Sequence, residues 1–328
     1  MSEEEKISYK QITVAELLAE LSTEMKVELA AGIEGLDKQI GLPRVQKPGL
    51  STDGDLNTGM LDRTLIFGKT EIGYLHSLRR DKMIASLNRF CTEDTRCIIV
   101  SAGLIIPPFL IDICNNKKIP LMQSPLPTSP TIETTSRILR IKMAPQMNIH
   151  GVLLEIFGLG VLIMGNAGIG KSESALDLIT RGHRLVADDA IILKKFENDV
   201  LVGYCSELIS NLLEIRGLGV MNIRDLFGMG AVRHHKKIEL IVILEQWKKG
   251  AEYDRLGLAE ENQKMMGCAV PCITIPVAPG RNLAILIETA ARNHLVKLHY
   301  GRAFEEFENK MNKQMIANQN YQDKKVGK

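Results

Sequence analysis

The run Gly165-Asn166-Ala167-Gly168-Ile169-Gly170-Lys171-Ser172 constrains this chain more than any other segment. It is a complete GxxxxGK[ST] pattern in a fitting context. Residues 160–164 (GVLIM) form an apolar, β-branched run into the loop, and residues 172–182 (SESALDLITRG) continue with helical spacing. Strand, glycine loop and helix in that order imply an α/β domain. The glycines let backbone N–H groups curl around phosphate oxygens, while the helix directs its positive end at them. Lys171 is placed to neutralise terminal phosphates and the Ser172 hydroxyl to ligate Mg²⁺. The bland alternative, a strand–helix turn that binds nothing, fits the order of the three elements poorly. Gly158-x-Gly160 reads as a bulge or close packing rather than a dinucleotide fingerprint.

A chain of 328 residues has room for two domains. Hydrophobic residues at 45% and charged residues at 24% exclude a disordered, collagenous or coiled-coil chain. With 41 basic against 39 acidic residues, the charge balance asks for neither nucleic acid nor an anionic membrane. The six cysteines include no CxxC pair, and Cys268 and Cys272 lack neighbouring histidines that would complete a zinc site. They read as buried or half-buried free thiols, which fits a reducing cytoplasm. The acidic start, MSEEEKISYK, is unlike a signal peptide, and no apolar stretch approaches the ~18 residues of a membrane span. A cytoplasmic protein is expected.

Three units follow from the pattern. Residues 1–145 read as a small α/β domain, 146–310 as a phosphate-loop catalytic domain and 311–328 as a flexible Asn-, Gln- and Lys-rich tail. In the first unit, residues 12–29 read as an amphipathic helix running towards a strand, Leu65–Phe67 as a strand, and Glu71–Leu78 as a helix for which Lys69 and Glu71 form a starting pair. Residues 97–106 read as β-rich, Ile111–Asn116 as a helix and Ile119–Met122 as a strand. The run SPLPTSPT (124–131) has the most linker-like composition, and a helix over Ile132–Lys142 leads towards Pro145.

Phosphate binding alone suits an ATPase, a GTPase or a kinase. No NKxD-type guanine-reading segment follows the loop, which counts against a GTPase. A second, acidic element is expected at a strand end, where a carboxylate can hold metal or accept a hydroxyl proton. Two candidates exist: Asp188-Asp189 after Arg184-Leu185-Val186-Ala187, and Glu245 after the run from Ile238. A solvated turn or a helix cap is the alternative for the aspartates. His234-His235 are adjacent, so in a strand they point to opposite faces; they read as surface residues, not a metal pair.

Beyond the loop, the chain resembles the bacterial HPr kinase/phosphorylase family in separated motifs. These are His150-Gly151-Val152-Leu153-Leu154, the loop itself, residues 181–190 (RGHRLVADDA), residues 214–223 (EIRGLGVMNI), Asp254-Arg255-Leu256-Gly257-Leu258, and residues 276–283 (PVAPGRNL). Lys47-Pro48-Gly49-Leu50, Gly68-Lys69-Thr70-Glu71 and Ala144-Pro145 look like the family's amino-terminal landmarks. The resemblance implies phosphorylation of a serine in HPr, a phosphocarrier of the sugar phosphotransferase system, using ATP or pyrophosphate. It also implies the reverse phosphorolysis, in which inorganic phosphate releases pyrophosphate. A homohexamer with a catalytic fold like that of phosphoenolpyruvate carboxykinase, and a role in regulating sugar uptake, are implied as well.

Carried over by position, Lys171 resembles the phosphate-binding lysine, Ser172 and Glu214 the Mg²⁺ ligands, and Asp189 the catalytic aspartate. An exchange of roles with Asp188 stays open. His150 and Arg255 resemble the remaining catalytic residues; by themselves they read as a core histidine and a surface ion pair. The family signature falls on Leu213, Glu214, Ile215, Arg216, Gly217, Leu218, Gly219, Val220, Met221 and Asn222. The segment linked to dephosphorylation falls on Pro276, Val277, Ala278, Pro279, Gly280 and Arg281. Two departures stand out. The family's loop usually reads GDSGxGKS, where this chain has Asn166 and Ala167, and Ala278 replaces an arginine of the family's PVRPGR. A lost cation should weaken the reverse reaction more than ATP use. A related kinase with another substrate, or a nucleotide sensor without chemistry, are the rival readings.

Overall fold

The computed structural model describes residues 10–48, 62–206, 209–247 and 261–301. The chain divides into two compact units between Pro145 and Gln146, and both are mixed α/β.

In the first unit, β1 (Ile12–Thr13) leads into α1 (Val14–Met25). The helix starts at Val14, not at Ile12, because Thr13 and Glu16 form a capping box: the Thr13 hydroxyl accepts from the Glu16 N–H at 3.1 Å and the Glu16 carboxylate accepts from the Thr13 N–H at 2.8 Å. It stops at Lys26, which is left-handed at φ 56°. Val14, Leu17, Leu21 and Met25 bury the helix's apolar stripe.

The rest of the unit comprises β2 (Glu28–Ala31), β3 (Gln39–Ile40), β4 (Val45–Gln46), β5 (Arg63–Phe67), α2 (Lys69–Ser77), α3 (Arg80–Phe90), β6 (Thr95–Val100), α4 (Pro108–Asn116), β7 (Leu121–Gln123) and α5 (Thr128–Met143). Five strands form one sheet in the order β2-β7-β6-β5-β4. All neighbours are parallel except the antiparallel β2–β7 pair, and apolar clusters cover both faces. The β-rich reading of residues 97–106 holds only to Val100, because Ala102 and Gly103 both take positive φ and turn the chain.

The linker expectation for 124–131 also fails. Ser124 and Thr131 are buried and share a 3.1 Å hydroxyl contact, and residues 128–131 are the first turn of α5, where proline is tolerated. Glu71 starts α2 as expected, its carboxylate accepting from the Gly68 N–H at 2.9 Å.

The second unit comprises β8 (Gln146–Ile156), β9 (Leu159–Gly165), α6 (Lys171–Thr180), β10 (Arg184–Phe196), β11 (Val200–Cys205), β12 (Leu212–Ile215), β13 (Gly219–Asn222), α7 (Ile223–Phe227), β14 (His235–Lys237), β15 (Leu240–Gln246), β16 (Glu261–Met265), β17 (Cys268–Val277) and α8 (residues 283–301). Its main sheet has the order β14-β11-β10-β8-β9-β15-β17-β16. Strands β9, β15 and β17 are parallel neighbours, and the other pairs are antiparallel. One face packs a large apolar cluster that includes Ala175, Leu178 and Ile179 of α6 and Ala284, Ile287 and Ala291 of α8. The other face packs Leu153, Leu162, Ile191 and Ile241.

The six cysteines are free and at least half-buried; complete burial pushes the Cys97 thiol up to about 12. No helix among the described residues is long and apolar enough to cross a membrane.

Candidate active site

Three parallel strands deliver their carboxyl ends to one edge of the second sheet, the usual location of ligand sites in α/β sheets. β9 ends in the glycine loop, β15 ends at Glu245-Gln246 and β17 runs into residues 278–282. The loop packs against β15 so closely that a Cβ on Gly165 would come within 2.6 Å of the Leu244 carbonyl oxygen. Gly165, Gly168 and Gly170 hold φ of 150°, 75° and 102°, which side-chain-bearing residues rarely adopt. Lys171 starts α6 and reaches back across the loop, donating to the carbonyls of Gly165 (2.9 Å) and Asn166 (3.0 Å). Ser174 fixes the first helical turn through a 2.6 Å bond to the Gly170 carbonyl.

The acid pair lies level with the loop. Asp188 pairs with Val152 on β8, and Val152 pairs with Ile163 on β9. Its neighbours differ sharply. Asp188 is 8% exposed. One of its oxygens accepts from the Ser172 hydroxyl at 3.3 Å, the other from the backbone N–H of Glu214 at 3.1 Å. Burial raises its pKa, and these two hydrogen bonds oppose the rise. Asp189 has an 80% exposed side chain, with Oδ1 3.4 Å from Nδ1 of the equally exposed His150. Its φ of 64° is left-handed, a conformation that aspartate tolerates better than most residues but that still costs free energy.

His150 is therefore not the core histidine that its residue type alone suggested. The glycine that follows it, Gly151, lies opposite Asp189 in the ladder, and a Cβ there would come within 2.7 Å of the Ile163 carbonyl oxygen.

The signature folds as a hairpin plus a cap. β12 and β13 pair antiparallel, with Gly217 at positive φ in the turn and Gly219 at positive φ where β13 begins. Leu213 and Ile215 are buried, so the alternation of the strand puts Glu214 and Arg216 on the opposite, exposed face. Asn222 caps α7 by accepting from the N–H groups of Arg224 (3.1 Å) and Asp225 (3.4 Å).

Residues 276–281 carry the chain from β17 to α8. Arg281 lies over the Trp247 ring at 5.2 Å from its centroid and donates to the Pro276 carbonyl at 3.4 Å. Asn282 donates to the Asp177 carboxylate of α6 at 3.4 Å, and Leu283 packs beside Gly170. Ala278 is half-buried in the same turn.

Of the two acidic candidates, the aspartates reach the loop, through the Asp188 bond to Ser172, while Glu245 is exposed at the end of β15. His234 and His235 are exposed, with His235 stacked on Tyr204. Arg255, with the rest of Asp254–Leu258, lies outside the described residues, as do Gly49, Leu50 and the tail from 311. The backbone N–H of Glu214 as an anchor for Asp188 carried no signal in the sequence, because main-chain donors have none. The oxygens of Ser172, Asp188 and Glu214 are the donors a hard divalent cation prefers. Among the described residues, no three His, Cys, Asp or Glu side chains cluster into a closed cage.

Comparison with known proteins places the chain in a family. The family model described as HPr Serine kinase C-terminal domain matches residues 141–311, and that described as HPr Serine kinase N terminus matches residues 12–139. A protein named HPr kinase/phosphorylase from Bacillus licheniformis is 44% identical over 286 residues, covering 87% of this chain and 92% of its own length. Its namesake from Bacillus subtilis is 42% identical, covering 88% of this chain and 93% of its own. A solved structure, the Hpr(Ser) kinase/phosphatase from Coxiella burnetii, is 40% identical with a TM-score of 0.46, over 49% of this chain and 98% of that one. With both halves matched in order and near-full-length relatives above 40% identity, the chain belongs to the HPr serine kinase family.

Proposed function

We propose that this protein transfers the terminal phosphoryl group of ATP to a serine of the phosphocarrier HPr. It also runs the reverse phosphorolysis, in which inorganic phosphate attacks phosphoserine-HPr and pyrophosphate leaves. The observation that carries the chemistry is the division of labour between two neighbouring aspartates beside a phosphate loop. The shared name of its relatives carries the identity of the substrate.

A serine hydroxyl needs a base within hydrogen-bonding reach as it attacks phosphorus. Asp189 is open to an incoming protein, and His150 stands against its carboxylate to orient it. Asp188, buried and held by two hydrogen bonds, is committed to the loop. In the forward direction Asp189 takes the serine proton; in reverse the protonated Asp189 returns it to the departing serine oxygen. Lys171, with Arg255, neutralises the phosphoryl oxygens, and the backbone of residues 165–172 cradles the phosphates.

Ser172 and Glu214 are the residues to hold Mg²⁺, with Asp188 fixing the Ser172 hydroxyl. Their all-oxygen chemistry fits that ion, which usually binds through few side chains together with phosphate oxygens and water. Bound there, magnesium would offset the charge of the phosphate oxygens.

The finer fold relationship, to phosphoenolpyruvate carboxykinase, is supported by the strand–loop–helix run and the parallel β9–β15–β17 core. The homohexamer, the use of pyrophosphate and a role in sugar-uptake control rest on the family resemblance. A cytoplasmic location agrees with six free thiols.

Incubating the protein with γ-labelled ATP and purified HPr should label a serine of HPr. Label on a different protein would support the related-kinase reading, and tight ATP binding with no transfer to any acceptor would support the sensor. Ala278→Arg should raise the phosphorolysis rate by roughly tenfold, the worth of one charge-assisted hydrogen bond to phosphate. The kinase rate of that variant should stay nearly unchanged. Initial rates in both directions check this, and an equal gain in both would show that a cation at position 278 does not act selectively in the reverse reaction.

A further inference from the structure

We propose that Arg216 is a catalytic residue that grips the phosphoryl group in flight: an arginine finger supplied by the chain's own hairpin. The proposal rests on the phosphate-loop kinase reading above and adds a residue to which that reading gives no task.

Three observations place it there. First, the Arg216 guanidinium lies against the loop: a methyl group built on Gly168 would sit 3.6 Å and 3.9 Å from its two terminal nitrogens. Second, Arg216 is exposed and makes no ion pair or hydrogen bond among the described residues, so its five N–H donors are uncommitted. Several other arginines of this unit are committed: Arg181 and Arg233 to carboxylates, and Arg281 to a carbonyl and a ring. Third, the strand that carries Arg216 is docked onto the site. The Glu214 N–H is bound to Asp188, which is bound to Ser172, and Leu213 and Ile215 anchor β12 in the core. The guanidinium is thus delivered from a fixed strand.

The chemistry explains why a cation is wanted there. As transfer proceeds, the serine oxygen bonds to the γ-phosphorus and the bond from that phosphorus to the bridging oxygen breaks, its electron pair leaving on ADP. The serine proton goes to Asp189. Charge spreads over the three equatorial oxygens of the moving group. Lys171 is a point charge at the helix start, whereas a planar guanidinium can donate two parallel N–H bonds to those oxygens.

The test uses full-length Arg216→Ala and Arg216→Lys, with ADP alone and ADP with aluminium fluoride as a mimic of the planar phosphoryl group. ADP affinity should stay within about threefold of wild type, which also reports an intact loop. Affinity for ADP with aluminium fluoride should fall at least about 10²-fold, and HPr phosphorylation should fall by about 10³-fold or more. Lysine should recover little of this, while guanidine added to Arg216→Ala should restore part of the rate. Aluminium fluoride complexes as tight in Arg216→Ala as in wild type would overturn the role of Arg216 alone. Wild-type protein that binds ADP no more tightly with aluminium fluoride would instead overturn the phosphoryl-transfer reading beneath it.

Discussion

Asp189→Asn is expected to lower HPr phosphorylation by about 10²–10⁴-fold, the usual contribution of a positioned general base, while ATP still binds. The amide keeps the size and polarity of the side chain and tolerates the same left-handed backbone, so the variant should fold. It cannot accept the serine proton, and it donates one poorly to a leaving serine oxygen, so phosphorolysis should fall as well. Steady-state rates in both directions, beside an ATP-binding measurement, check the expectation. Near-normal kinase activity in Asp189→Asn, with activity abolished in Asp188→Asn, would exchange the two roles. Activity in both variants would make the acid pair structural and move the base elsewhere.

Lys171→Ala should weaken ATP binding by roughly ten- to a hundredfold, since a hydrogen bond to a charged group is worth about 1.5–3 kcal/mol. Turnover should drop by a further 10²–10³-fold or so, the scale for losing one donor to developing charge. The ammonium now spans the loop between the Gly165 and Asn166 carbonyls, and alanine leaves only the neutral N–H groups of the cradle. Titration calorimetry with ATP and circular dichroism separate lost affinity from lost fold. Unchanged ATP binding in a folded variant would sink the phosphate-loop assignment.

The loop, its strand and helix, and the acid pair were legible from residue order because each is local: glycines, one lysine, one hydroxyl and a hydrophobic run suffice. Which aspartate faces the loop was not. Counting alternate faces along β10 from Leu185, which faces α6, would put Asp189 on the α6 side of the sheet. The ladder slips by one residue between Leu185 and Ala187, so that Val186 and Ala187 both oppose Leu153. That bulge gives the loop-facing position to Asp188 instead. Nothing in the composition of Leu185-Val186-Ala187 announces an extra residue.

The approach of Arg216 to Gly168 was equally hidden, because it joins segments nearly fifty positions apart through a contact that leaves no pattern in either. In the first unit, prolines at 125, 127 and 130 suggested a linker by composition, yet buried Ser124 and Thr131 make the segment part of the core. A proline at the head of a helix and a proline in a flexible tether look alike until the hydroxyls beside them are seen to be buried.

The twofold grip of Asp188 has a consequence for how damage spreads. One carboxylate holds the hydroxyl of Ser172 with one oxygen and the main chain of the hairpin with the other. Substitutions in the loop and in the hairpin are therefore expected not to give separate, summable effects, since the two share a keystone. A lesion in the turn at Gly217 is expected to reach Ser172 through that carboxylate, and a lesion at Ser172 to loosen the seat of Glu214 in return. Segments more than forty residues apart in the chain are thus tied into a single mechanical part, and a defect in either should wear the signature of the other.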